Sequence, residues 1–146
     1  MIALIQRVSA AEVRVGSESV GTIGRGVLAL IGVERGDGAQ SGARLLERIL
    51  SYRVFPDGAG RMNLSLREVG GGLLLVPQFT LAADTGKGTR AGFSTAAAPA
   101  EAQRLFADLL ARAQAAYAPV SAGVFGAHMQ VALVNDGPVT FLLTSR

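Results

Sequence analysis

The 146-residue chain has no cysteine and no tryptophan, a single histidine (His128) and a single lysine (Lys87). Without cysteine there is no disulfide, no thiolate metal site and no cysteine nucleophile. One histidine excludes a multi-histidine metal centre and any HExxH pattern, and no metal and no cofactor are expected. A Ser-His-Asp arrangement would have to use His128, whose neighbours Ala127-His128-Met129-Gln130-Val131 read as strand and make it a solvent-facing or edge-strand residue. There is no GxSxG elbow and no P-loop. Gly70-Gly71-Gly72 is not followed by Lys-Ser/Thr and reads as a turn before the strand at Leu73. The apolar runs, Val27 to Val33, Leu73 to Val76 and Val131 to Val134, are far too short to cross a bilayer. Met1 to Arg7 lacks the basic-then-apolar order of a signal peptide, so a cytoplasmic protein with no membrane partner is expected.

Hydrophobic residues make up 49% of the chain and charged residues 17%, the balance of a globular protein. Residues 1–146 are of ordinary length for a single domain able to bury a core. The net charge is +3, and nearly all the positive charge is arginine. No basic run stands out, so binding to duplex DNA is not expected; contact with one end of an RNA stays open.

Periodicity predicts strands over Met1 to Ser9 and Ala11 to Val20, then a buried strand at Val27 to Ile31. A helix follows over about Ala39 to Tyr52, with Leu45, Leu46, Ile49 and Leu50 on one stripe. Phe55 to Gly72 reads as loop, Leu73 to Val76 as a short buried strand running into Pro77-Gln78-Phe79-Thr80-Leu81, and Ala82 to Ala98 as an exposed loop. Pro99 opens a second helix to about Tyr117, burying Leu105, Phe106, Leu109 and Leu110. Strands at Val120 to Phe125, Met129 to Val134 and Val139 to Thr144 complete the chain. The fold class is α+β: curved mixed or antiparallel sheets, barrel-like, with two main helices on one side.

Two segments stand out, each open to a structural and to a functional reading. In Pro77-Gln78-Phe79-Thr80, polar residues flank an aromatic at the end of a buried strand, where free backbone N–H groups could bind an oxyanion or the polar side chains could simply be hydrogen-bonded. Asn135-Asp136-Gly137 between apolar runs is a hairpin signal, yet Pro138 removes a donor where the returning strand should begin to pair. The segment is either a hairpin with an edge-strand proline or a cis Gly-Pro peptide that aims two carbonyls in one direction as a rigid acceptor clamp.

These segments carry a resemblance over essentially the whole chain. Gln6-Arg7-Val8-Ser9, Gly60-Arg61-Met62-Asn63-Leu64-Ser65, Gln78-Phe79-Thr80-Leu81, Ala83-Asp84-Thr85, Phe125-Gly126-Ala127, Met129-Gln130-Val131 and Asn135-Asp136-Gly137-Pro138-Val139-Thr140, in this order and spacing, resemble the D-aminoacyl-tRNA deacylases. The resemblance implies a homodimeric editing hydrolase that cleaves the ester of D-aminoacyl-tRNA and glycyl-tRNA and spares the L forms. It implies that Gly137 and Pro138, joined by a cis peptide, enter the site of the other subunit and clash with an L side chain, a selection by exclusion. Arg7 matches the arginine that holds this loop, and Asn135 opens it. Gln78, Phe79 and Thr80 are the implied catalytic segment, supplying position and backbone donors while the 2′-hydroxyl of the terminal adenosine helps activate water. Phe125 and Met129 are candidates for the adenosine pocket or, equally, core residues.

The chain departs from the family pattern in three places. Pro77 stands where serine usually precedes Gln-Phe-Thr, removing a hydroxyl and an N–H; His128 stands where an acidic residue is common; and Thr89-Arg90-Ala91-Gly92-Phe93 replaces Arg-Arg-Pro-Ser-Phe. A non-catalytic module binding the tRNA acceptor end, and a dimeric small-molecule binder, are the rival readings; intact Gln78-Phe79-Thr80 and Gly137-Pro138 favour the enzyme.

Overall fold

A computed structural model describes all 146 residues. The organising element is β1 (Ile2–Val15), followed across the turn at Gly16 and Ser17 by β2 (Glu18–Ile23) and then β3 (Gly26–Gly32). The first half of β1 pairs antiparallel with β3, from Ile2↔Gly32 to Val8↔Gly26, and its second half with β2, from Ala11↔Ile23 to Val15↔Glu18. The sequence predicts one strand ending at Ser9 and another beginning at Ala11; instead one strand runs through, because the irregularity is absorbed as a register shift between Val8 and Ala10. Such a bulge bends and twists a strand without ending it. The strand thereby changes neighbours halfway and curls the sheet.

Helix α1 (Ala39–Ser51) is followed by a small antiparallel pair, β4 (Phe55–Pro56) and β5 (Met62–Leu64), and by a one-turn helix, α2 (Leu66–Val69). Both lie in the stretch expected to be loop. The signal for α2 is Ser65-Leu66-Arg67-Glu68: Ser65 Oγ accepts from the Glu68 N–H, and the Glu68 carboxylate accepts from the Ser65 N–H. Strand β6 (Gly72–Pro77) then runs parallel to β3, and a 3-10 turn occupies Phe79–Ala82. Helix α3 (Pro99–Ala116), β7 (Val120–Ala122) and β8 (Gln130–Thr144) complete the fold. Sheet order is β2-β1-β3-β6-β7, with β8 along the other edge of β1. Gly26 faces Gly72 where β3 meets β6, and a Cβ on Gly26 would fall 1.9 Å from the Gly72 carbonyl oxygen.

Two cores follow from this curvature. One face of the sheet (Ala3, Ile5, Val27, Leu73, Leu75, Leu143) packs beneath both long helices through Leu45, Leu46, Ile49 and Leu50 of α1 and Leu105, Phe106 and Leu109 of α3. Each fully buried aliphatic side chain there contributes about 1.5–3 kcal/mol relative to exposure. The other face closes on itself as a barrel interior of Val8, Val13, Ile23, Leu28, Leu74 and Val76. The structure is thus the α+β, barrel-like fold with two main helices on one side.

The hairpin suggested by Asn135-Asp136-Gly137 does not form. Strand β8 is continuous and pairs with β1 on both sides of this segment, Val8 facing Asn135 and Gln6 facing Thr140. The four residues from Asp136 to Val139 therefore oppose Arg7 alone and swell out as a wide bulge. The Asp-Gly-Pro segment bulges without reversing the chain, and the strand that follows it rejoins the same neighbour.

Candidate functional site

The strand β6 delivers its last residues to the rim of the sheet. Pro77 sits there without costing a ladder bond. The N–H groups of Leu73 and, by alternation, Leu75 face β7, whose pairing with β6 ends at Leu75↔Ala122, so the donor that Pro77 lacks falls beyond the last paired residue. The Gln78 N–H still donates to the Ile31 carbonyl at 2.7 Å, and the chain then turns into the 3-10 segment. This segment, expected from the sequence to be a strand end, is a helical turn, and its first N–H groups, those of Phe79 and Thr80, have no partner within the turn. The Gln78 side-chain amide donates to Thr80 Oγ1, which fixes both side chains to one another.

Beside this turn lies a cleft of about 430 Å3, predominantly apolar, walled by Pro77, Gln78 and Phe79 on one side and by Phe125, His128 and Met129 on the other. Phe125 packs on Phe106 of α3 at 6.4 Å between ring centroids, and Met129 packs against the barrel interior, so each is at once a core neighbour and a wall of the cleft. The Val124 N–H points at Met129 Sδ, 3.4 Å away. His128 is exposed and lies in the turn before β8, not within a strand as the sequence suggests; the loop Gly123 to Met129 interrupts pairing where Gly126 adopts a positive φ of 78°. It is the one titratable side chain in the cleft wall and hydrogen-bonds to none of the candidate residues. No group of three or more His, Asp or Glu side chains is placed to hold a metal ion.

The remaining candidates form a second cluster around the β8 bulge. Arg7, directly opposite the bulge, donates from Nε to the Asp136 carbonyl at 2.7 Å and from Nη1 to the Val54 carbonyl at 2.8 Å. Asn135 ties the two ends of the bulge together: its Oδ1 accepts from the Val139 N–H at 2.7 Å and its Nδ2 donates to Thr140 Oγ1 at 2.9 Å. The Gly137–Pro138 peptide is cis. Gly137 has φ of +153°, and a Cβ there would lie 2.7 Å from Val139 Cγ2, so only glycine fits. Gly137 and Pro138 are both exposed. Thus Gln78, Phe79, Phe125 and Met129 are brought together on one cleft, with Thr80 bonded to Gln78 at its edge; Arg7, Asn135, Gly137 and Pro138 are brought together elsewhere, and none of these four lines that cleft.

Phe93 lies outside the cleft and packs against its wall, a neighbour that no local pattern in the sequence marks. Its ring packs on Phe79 at 5.2 Å between centroids, and the two are 45% and 58% exposed. Phe93 stands in an irregular Gly/Thr/Ala-rich loop with no periodicity, so only its place in the family's loop draws attention to it.

Known proteins resemble the chain in both sequence and structure. The sequence profile described as D-Tyr-tRNA(Tyr) deacylase matches residues 4–144. A D-aminoacyl-tRNA deacylase of Thioalkalivibrio sulfidiphilus is 66% identical over 143 residues, 98% of this chain and 96% of that protein. One from Methylococcus capsulatus is 63% identical, covering 98% of this chain and 94% of the other. Among solved structures, the c-Myc DNA Unwinding Element Binding Protein superposes with a TM-score of 0.95 at 36% identity, covering 100% of this chain and 99% of that one. A probable eukaryotic D-amino acid tRNA deacylase shares the fold at a TM-score of 0.80 and 17% identity, covering 97% of both chains. With nearly its full length matched by the profile and by relatives at this identity, the chain belongs to the D-Tyr-tRNA(Tyr) deacylase family.

Proposed function

We propose that this chain hydrolyses the ester linking a D-amino acid to the 3′ end of tRNA, accepts glycyl-tRNA as well, and excludes L-aminoacyl-tRNA with a Gly137-Pro138 clamp supplied by a second copy of the chain. The observation that carries this reading is the separation of the two clusters. The cleft has an apolar adenosine-sized volume beside free backbone donors, and Gln78 and His128 are the only polar side chains among its lining residues. The bulge that offers carbonyls is exposed at Asp136, Gly137 and Pro138 and forms no part of its own chain's cleft. Two copies related by a twofold axis would each lend the bulge to the other's cleft, the isologous arrangement of a symmetric dimer. The unpaired outer edge of β8, with Val134 and Leu142 59% and 61% exposed, is apolar surface of the kind such a contact covers.

In the reaction, Phe125 and Met129 sandwich the terminal adenosine and the ester carbonyl lies over Phe79 and Thr80. Water attacks the carbonyl carbon; the N–H groups of Phe79 and Thr80 stabilise the oxyanion; the 3′-oxygen of the ribose leaves. The adjacent 2′-hydroxyl takes the proton from water and returns it to the 3′-oxygen, so no ionisable side chain is required. Carbonyls of the partner's bulge lie at the amino group and α-carbon, leaving room for hydrogen where an L side chain would project. Such a protein acts where tRNA is charged, the cytoplasm.

The experiment is amino-acid release from D-tyrosyl-, L-tyrosyl- and glycyl-tRNA by purified protein in EDTA. Loss of the D and glycyl esters with the L ester spared is expected. Binding of all three without hydrolysis would replace this reading with that of an acceptor-end binding module.

A further inference from the structure

The cleft does not end at Phe79. A second depression of about 550 Å3 shares Phe79, Ala97 and Pro99 with it and adds Phe93 and Arg35. A third, of about 670 Å3 and without any hydrophobic residue, shares Arg35 with the second and adds Arg44 and Arg146. The three form one track whose character changes in order, from apolar, to an exposed aromatic pair, to basic and polar.

We infer that this track holds the single-stranded nucleotides that precede the terminal adenosine of the tRNA substrate, with a base stacked on Phe93 and backbone phosphates paired with Arg35 and Arg44. The inference rests on the proposed function and extends the same site. An aromatic pair at a cleft mouth, more than two-fifths exposed on both rings, offers a π face to any base that leaves the cleft. The charges beyond it suit phosphate. Arg35 and Arg44 are exposed and take part in no ion pair. The carboxylates of the same track are already engaged. Glu34 lies 3.2 Å from both the Met1 ammonium and Arg146, Asp37 lies 2.7 Å from that ammonium and also accepts from the Glu34 N–H, and Glu101 holds Arg104 at 2.6 Å. What is left facing outward is guanidinium, which pairs with phosphate in a planar fork. The Arg35 N–H donates to the Thr95 carbonyl, which fixes the wall bearing Arg35 against the loop bearing Phe93.

The test compares two D-tyrosyl esters, one of tRNA and one of adenosine alone. The second fills the cleft but leaves the track empty. Phe93→Leu is expected to raise KM for D-tyrosyl-tRNA about tenfold with kcat unchanged, the scale of one base stack, and to leave kcat/KM on the adenosine ester untouched. Phe93→Tyr, which keeps the ring, restores the wild-type KM. The double variant Arg35→Ala/Arg44→Ala raises KM for the tRNA ester alone and flattens the dependence of log kcat/KM on log salt by about 0.7 for each phosphate left without its guanidinium. Equal losses on both esters, an unchanged KM for the tRNA ester, or a Phe93→Leu protein that sediments at a lower association state would each overturn the assignment, the last giving the surface to a second copy. Binding of uncharged tRNA reads the inference separately. If wild-type protein hydrolyses neither ester, the proposed function fails, and the track stands or falls on whether Phe93→Leu weakens that binding about tenfold.

Discussion

Arg7 is the residue whose removal most directly tests how the bulge is built. Its side chain is 14% exposed and carries two hydrogen bonds to main-chain carbonyls, one to Asp136 at 2.7 Å and one to Val54 at 2.8 Å. The first lies at the surface, where water replaces the lost donor, so its loss costs about 1 kcal/mol; the second is half-buried and charge-assisted, at about 1.5–2 kcal/mol. The Asp136 carboxylate adds little at 3.9 Å from Nε and 64% exposure. Arg7→Ala should therefore destabilise the fold by about 2.5 kcal/mol, which for a chain of this size lowers Tm by roughly 8 °C. Arg7→Lys should recover only part of this, because one ammonium cannot reach two carbonyls that a guanidinium spans. The effect on function should exceed the effect on stability. Four residues hang opposite Arg7 with Asn135 as their other tie, and a displacement of about 1 Å at a reacting centre costs on the order of a hundredfold in rate. Thermal melts followed by circular dichroism, paired with D- and L-tyrosyl-tRNA hydrolysis at about 25 °C, where the variant is still folded, separate the two. If Arg7→Ala keeps both its Tm and its preference for the D ester, Arg7 does not hold the bulge.

Gly137→Ala must place a methyl 2.7 Å from Val139 Cγ2 at a φ of +153°, a strain of about 1–3 kcal/mol that moves the bulge; D-ester hydrolysis should fall with a modest loss of Tm, and full activity would refute the fit. Pro77→Ser returns an N–H and a hydroxyl to the cleft wall without displacing a ladder bond; hydrolysis should rise about fivefold, one neutral hydrogen bond of about 1 kcal/mol, while Tm drops slightly from the freer unfolded chain. An unchanged rate would make Pro77 a packing residue only. Tyr117 donates its hydroxyl to the carbonyls of Leu66, at 3.2 Å, and Gly71, and burial raises its pKa above the ordinary 10.0. As pH climbs past about 10 the unfolded chain loses the proton first, the native state binds more protons, and stability falls through that window. Tyr117→Phe should lose about 1–2 kcal/mol at neutral pH and show a shallower alkaline decline in urea melts; an identical decline would assign it to other groups.

The helices and the buried strands are legible in the sequence because their signals are local. Leu45, Leu46, Ile49 and Leu50 announce α1 by spacing alone, and Pro99 marks the start of α3 where its missing donor costs nothing. Sequence and structure part where the outcome depends on a distant neighbour. Ser9-Ala10 and Asn135 to Pro138 both interrupt a period-two pattern, and pattern alone cannot distinguish a break between strands from a bulge within one. That decision lies in the partner strand: β1 and β8 bulge at adjacent positions, Ser9 opposite the stretch between Val134 and Asn135, and Arg7 opposite Asp136 to Val139. Gln78 to Thr80 stand out by their polarity, but their 3-10 conformation depends on packing that no local pattern reveals.

That coupling between β1 and β8 also explains how Arg7 and the candidate residues from Asn135 to Pro138, far apart in sequence, form one compact group. A wide bulge in an edge strand loses ladder bonds that something must replace. Here the replacements are side chains, Arg7 from the facing strand and Asn135 from the bulge's own entrance, and both bond to the backbone of the bulge. The result is an exposed carbonyl-bearing projection with little freedom to relax. An unbraced loop of Asp, Gly and Pro would yield to any ligand pressed against it. A braced one can exclude by shape, which is what the proposed discrimination between mirror-image amino acids requires, since the two differ in no bond and no charge, only in the direction a side chain leaves the α-carbon.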